Sequence, residues 1–148
     1  MNQQLPVFVY GSLRHGFGNH RLYLAPYPHE AYPAKAKGLL YHLPVSGYPA
    51  VLQAGEADAS WVYGEVVFIP ADVYPRVLAG LDELETYYGP DDPRNEYERE
   101  MVAVTRLDTG EELQAFIYVK RGEQERLARQ IGIPVPEGDW RGFMGSRK

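Results

Sequence analysis

The stretch VFVYGSL, residues 7–13, decides how the rest of the chain is read. Val7, Phe8 and Val9 are β-branched or aromatic, the composition of a buried strand. Pro6 precedes them, where its missing N–H does a sheet least harm. The run then meets Gly11 and Ser12. Glycine there allows close backbone approach or a positive φ. Successive N–H groups in such a turn can form a concave donor site for a carboxylate or phosphate. The residues alone leave two readings open, an ordinary turn or an anion cradle. The turn is not a phosphate loop, because G-x-x-x-x-G-K is missing. Ser12 is not in a G-x-S-x-G nucleophile elbow either.

Outward from this stretch, the pattern is strand-rich. Residues 36–43 (AKGLLYHL) and 61–69 (WVYGEVVFI) read as strands, with Gly64 marking a bulge or a close backbone approach. From Asp72 to about Glu85 the period becomes helical, with Asp72 placed to cap and Pro75 tolerated in the first turn. Strands over 97–107 and 112–120 flank Asp108-Thr109-Gly110, a hairpin signature. Residues 123–131 form a short helix. The tail, with Pro134, Pro136, Gly138 and Trp140, reads as ordered but irregular. Five or six strands and two helices, not regularly interleaved, predict a small mixed α/β or barrel-like domain and not a doubly wound sheet.

Composition narrows the function. The chain has 148 residues, which suits one domain over 1–148. Its 15 glycines and 12 prolines favour short elements and many turns. The net charge of −5 argues against a nucleic-acid partner. No window reaches the roughly 18 apolar residues of a membrane span, and the N-terminus lacks a signal peptide's basic region. With no cysteine there is no disulfide, thiolate zinc site or cysteine nucleophile. His15, His20, His29 and His42 show no metal-ligand spacing, so neither metal nor cofactor is expected. A cytoplasmic protein is expected.

The most informative residue is Glu85. At about 100° per residue from Val77, Leu81 falls near 40°, Leu78 near 100° and Leu84 near −20°. Glu85 falls near 80°, among the leucines. Glu83 falls near 240°, on the opposite face, and Asp82 near 140°, on the rim. A carboxylate against an apolar wall has its pKa raised, which suits a general acid/base near neutrality. The wheel leaves three readings open: an acid/base, an ion pair with Arg94 or Arg99, or a frayed end in water.

Taken in order, VFVYGSLRHGFGN (7–19), GYPAV (47–51), VYGEVVFI (62–69), LDELETYY (81–88), YEREMVAV (97–104), AFIYV (115–119) and GDWRGF (138–143) resemble gamma-glutamylcyclotransferase-like proteins over nearly the whole chain. The resemblance implies an α+β fold, a small β-barrel of about five to seven strands with a few flanking helices and a cavity at one end. It implies that Tyr10, Gly11, Ser12 and Leu13 hold the α-carboxylate of a small γ-glutamyl substrate, that Glu85 is the acid/base, and that Tyr118 lies near the cavity. The implied reaction is cyclisation of the glutamyl group to 5-oxoproline with release of the amine. Ser12 stands where threonine is frequent, Thr86 where glycine is usual, and loop 89–95 departs near the opening. A non-catalytic domain for binding a small metabolite or a protein is the competing reading, because a shared fold does not carry its chemistry with it. Hydrolysis through Ser12 or a metal lacks a base triad or ligand set.

Overall fold

A computed structural model describes residues 4–11, 23–52 and 60–146. Among them, β1 (Val7–Val9), β2 (Glu30–Lys37), β5 (Trp61–Phe68), β6 (Glu98–Arg106) and β7 (Glu112–Val119) close a barrel in the order β1-β5-β2-β6-β7. Closure is made by β1, which runs antiparallel to β5 and parallel to β7. There the Phe116 N–H donates to the Pro6 carbonyl over 2.8 Å. A second sheet has the order β4-β3-β8, from β3 (Leu39–Leu43), β4 (Tyr48–Leu52) and β8 (Ile133–Pro134). Helices α1 (Tyr74–Leu84), α2 (Gly122–Ile131) and α3 (Trp140–Ser146) flank the two sheets. No described helix is long and apolar enough to cross a membrane.

Strand alternation sorts the core. Phe8 and Tyr10 point into the barrel with Val62, Val66, Val104 and Ile117. Val7 and Val9 point the other way and pack with Val67, Val77 and Leu81, so β1 is buried on both faces. Val77 and Leu81 are the buried stripe of α1, and Glu83 is exposed on its far side.

Several sequence expectations need correction. β2 was not foreseen, because Pro33 interrupts EAYPAKAK. The ladder to β6 covers Ala34 to Ala36, so Pro33 lies just beyond it. Its carbonyl instead accepts from the Leu107 N–H, 2.9 Å away, and the absent N–H of Pro33 would point to that same open side. Residues 36–43 are not one strand, since the chain turns at Gly38 from the barrel into the second sheet. Asp72 does not cap α1; Val73 is the N-cap and no side chain caps the helix. The tail contains β8 and α3 and is not wholly irregular.

Gly64 is a close approach without a bulge. It pairs in regular register with Ala34. A methyl group on it would lie 2.1 Å from the Val9 carbonyl oxygen and 3.0 Å from the Tyr10 Cα. The end of β1 therefore rests on bare backbone, and this seats the turn at Tyr10 and Gly11.

Helix α1 stops on Glu85, whose N–H still donates to Leu81. The Thr86 N–H then donates to the Glu83 carbonyl (3.2 Å) and the Tyr87 N–H to the Asp82 carbonyl (2.9 Å). These two bonds make a Schellman cap with Thr86 at C′. That position needs the left-handed conformation, and Thr86 has φ 55°. A β-branched residue is strained there, at a cost of about 1–2 kcal/mol. Thr86→Gly is expected to keep the cap and raise unfolding stability by about 1 kcal/mol after the flexibility that glycine adds to the unfolded chain, a gain that urea melts of the two proteins would resolve.

Candidate active site

One cavity of about 310 Å³ opens where the barrel meets the second sheet. This lies within the usual range for small-molecule sites, about 300–1,000 Å³. Its walls come from the end of β1, the β3–β4 turn, the end of α1, residues 96–97, the end of β7 and one face of α2. Tyr10, Gly11, Glu85 and Tyr118 all line it. Ser12 and Leu13 lie outside the described residues, as do His15 and His20.

Gly11 is buried and does not use a positive φ. Its need for glycine is steric: a methyl group would lie 2.5 Å from Cγ of the Pro49 ring. Strand β4 thus packs directly on the turn that follows β1. The Tyr10 hydroxyl donates to the backbone carbonyl of Tyr118 over 2.6 Å, which locks the turn to the neighbouring strand β7.

Tyr118 donates its hydroxyl to Asp82 Oδ1 over 2.6 Å. Asp82 Oδ2 accepts from Arg99. The single hydroxyl proton of Tyr118 is therefore committed to Asp82 and is not free to stabilise an oxyanion in the cavity. Tyr97 donates to the Pro49 carbonyl at 2.9 Å. Burial raises the pKa of all three tyrosines, so they remain protonated donors near neutrality.

Glu85 behaves differently. Neither arginine considered for it is its partner, because Arg94 binds Asp92 and Arg99 binds Asp82. Among the described residues, no hydrogen bond reaches its carboxylate. Burial raises its pKa from 4.5 to about 7; Lys120 opposes the rise and Glu96 adds to it. Leu84 and Thr86 flank it on the cavity wall.

Lys120 is the residue the sequence reading missed. It follows the apolar run AFIYV, where a lysine ordinarily marks the end of a strand in water. Instead it is buried. Its backbone N–H donates to the Val51 carbonyl (3.1 Å), which draws it into the seam between the sheets. Its ammonium donates to the Glu96 carbonyl over 2.8 Å and lies 3.9 Å from the centre of the Tyr97 ring. Burial lowers its pKa, and the carboxylates of Glu96 and Glu85 work against that. The signal available in sequence was only its one-residue distance from the buried Val119.

His42 has a packing role: it is buried, and the Trp140 indole donates to its Nδ1 over 3.1 Å. Among the described residues no three His, Asp or Glu side chains gather as a metal cluster.

Residues 7–142 match the family described as gamma-glutamyl cyclotransferase, AIG2-like. The chain is 33% identical over 140 residues to a candidate gamma-glutamylcyclotransferase of Methanocaldococcus jannaschii, covering 94% of this chain and 98% of that protein. It is 34% identical over 93 residues to the gamma-L-glutamyl-butirosin B gamma-glutamyl cyclotransferase of Niallia circulans, covering 63% of this chain and 53% of that one. Among solved structures, YkqA of Bacillus subtilis aligns over 97% of this chain and 43% of its own, with 26% identity and a TM-score of 0.64. A mouse AIG2-like protein shares the fold at 21% identity, with 82% of each chain covered and a TM-score of 0.63. With the family pattern covering nearly the whole chain, this protein belongs to the gamma-glutamyl cyclotransferase, AIG2-like family.

Proposed function

We propose that the protein cyclises a γ-glutamyl amide to 5-oxoproline and releases the amine, with Glu85 as the acid/base. The observation that carries this reading is Glu85 itself: a carboxyl with a pKa of about 7, in the same small cavity as the Gly11 turn. A group poised near neutrality both accepts and returns a proton efficiently. Family membership supports the same reaction class.

The substrate's α-carboxylate sits at the turn that begins with Tyr10 and Gly11. Glu85 takes a proton from the α-ammonium. The freed amine attacks the γ-carbonyl carbon of the same molecule, a C–N bond forms, and the carbonyl oxygen becomes an oxyanion. Collapse of that intermediate breaks the bond to the leaving nitrogen, which Glu85 protonates. Overall the α-nitrogen loses two protons and the leaving nitrogen gains two. Glu85 carries them in turn and ends as it began. The nucleophile is tethered, so its high effective concentration replaces a covalent enzyme intermediate. Lys120 provides the positive charge that keeps the Glu85 pKa from rising further.

Incubation with a panel of γ-glutamyl amides, read by mass spectrometry, is expected to yield 5-oxoproline, and Glu85→Gln is expected to lower kcat by about 10²–10⁴-fold. No product from the folded protein across a broad panel would leave the binding-domain reading in its place. Lys120→Met is expected to move the acid limb of the kcat/KM profile to higher pH, because Glu85 loses the positive charge that holds its pKa down. A purely structural lysine would lower activity and leave the limb where it was.

Glu85 also imposes a pH dependence on folding. Between pH 4.5 and about 7 the unfolded chain releases a proton that the folded protein keeps. Stability is therefore greatest below the unfolded pKa and falls as the pH rises through about 7, by about 3 kcal/mol in all. Glu85→Gln is expected to flatten this slope and to be the more stable protein at pH 8, as urea melts at pH 5 and pH 8 would report.

A further inference from the structure

Most of the large apolar side chains left exposed gather at the mouth of the cavity. Among the described residues there are seven: Val45, Tyr48, Tyr88, Met101, Leu107, Leu127 and Ile131. Four of these, Val45, Tyr48, Leu127 and Ile131, line this one opening. They come from two segments that both line it: the β3–β4 turn with the first residue of β4, and α2. Val45 is 90% exposed. The elements are held together from below, where Ala128 of α2 is buried against Leu43, Ala50 and Leu52. An apolar patch continuous with a reactive cavity marks a ligand surface.

Charge is distributed unequally along the same wall. Among the described residues, the charged ones that line it are Glu85, Glu96 and Lys120. The polar residues among those lining the turn and α2, Ser46 and Gln124, carry no charge. Among the described residues, a leaving amine that extends outward from Glu85 thus meets apolar side chains and one cation, Lys120, whose ammonium is tied to the Glu96 carbonyl.

We propose that this mouth is the leaving-amine subsite, and that it selects γ-glutamyl amides whose amine carries a bulky, uncharged apolar group. This rests on the cyclisation reading and adds the substrate class to it. The glutamyl part occupies the floor between Gly11, Glu85 and Lys120. The apolar group of the amine lies between Val45 and Tyr48 on one side and Leu127 and Ile131 on the other. Covering it there removes apolar surface from water on both partners. An alkyl chain covered on about half its surface gains roughly twofold in kcat/KM for each methylene.

Three substrates test the assignment: γ-glutamyl-methylamide, γ-glutamyl-pentylamide and γ-glutamyl-norleucine, the last being the pentylamide with a carboxylate added beside the nitrogen. The expected order is pentylamide over methylamide by about 15-fold in kcat/KM, with norleucine below pentylamide. Val45→Asp, at an exposed turn position, is expected to reduce the pentyl-to-methyl ratio at least threefold. A ratio near one in the wild type, a preference for norleucine over pentylamide, or a ratio that Val45→Asp leaves unchanged would overturn the assignment while the cyclisation reading stands. A flat ratio joined to a dimer that Val45→Asp converts to monomer would give the face to a second copy of this chain. No 5-oxoproline from any of the three overturns the cyclisation reading and the subsite with it.

Discussion

Asp82 ties the candidate site to the fold. One oxygen of its carboxylate accepts from the Tyr118 hydroxyl on β7, and the other from Arg99 on β6. Both strands of the β6–β7 hairpin are thereby fastened to one turn of α1. The helix ends two residues later and Glu85 is its C-cap, so the orientation set at Asp82 also sets where Glu85 points. Arg99 lies over the Tyr87 and Phe116 rings as well, each 5.0 Å away, so the same cation connects the helix end, its cap and the barrel strand that closes on β1. Removing Asp82 would leave Arg99 half-buried without its carboxylate, a loss larger than that of the pair itself.

The site is a carboxyl kept short of partners inside a network in which the neighbouring polar groups have them. Tyr10, Tyr97 and Tyr118 each give their hydroxyl proton to a named acceptor. Glu85 has the Lys120 charge nearby and no hydrogen bond among the described residues. That arrangement holds its pKa near neutrality, and it destabilises the ionised fold at alkaline pH for the same physical reason. The strained Thr86 cap adds a second local cost at the adjacent residue. Both lie where the helix delivers its side chain to the cavity, which is where departures from local rules are expected to concentrate.

The parts legible in the sequence were those encoded by local periodicity. The apolar run VFVY, the hairpin at Asp108–Gly110 and the leucine stripe of α1 each follow from neighbours a few residues apart, as does the position of Glu85 on that stripe. What was hidden depends on partners distant in the chain. β2 was obscured by Pro33, which is harmless only because the β6 ladder begins one residue later. Gly11 was read as freedom for a ligand or for a positive φ, whereas its immediate constraint is the Pro49 ring. The Asp82 network joins residues 17 and 36 positions apart. Lys120 looked like a strand terminus, and only the packing of β4 against its backbone turns it inward.

This division has a consequence for how the scaffold can diversify. The proposed chemistry needs a tethered nucleophile, one tuned carboxyl and a place for an α-carboxylate, all on the barrel side of the seam. The other side, built from the β3–β4 turn and α2, is held together by its own packed apolar contacts, such as Ala128 against Leu43. Exposed positions such as Val45 contribute little to the core, so their side chains can change at small cost in stability. Glu85 and Lys120 are constrained by burial and by each other, and any change there alters proton affinity and stability together. Under the proposed reaction, specificity for the amine can therefore vary at the mouth without disturbing the electrostatics of the floor.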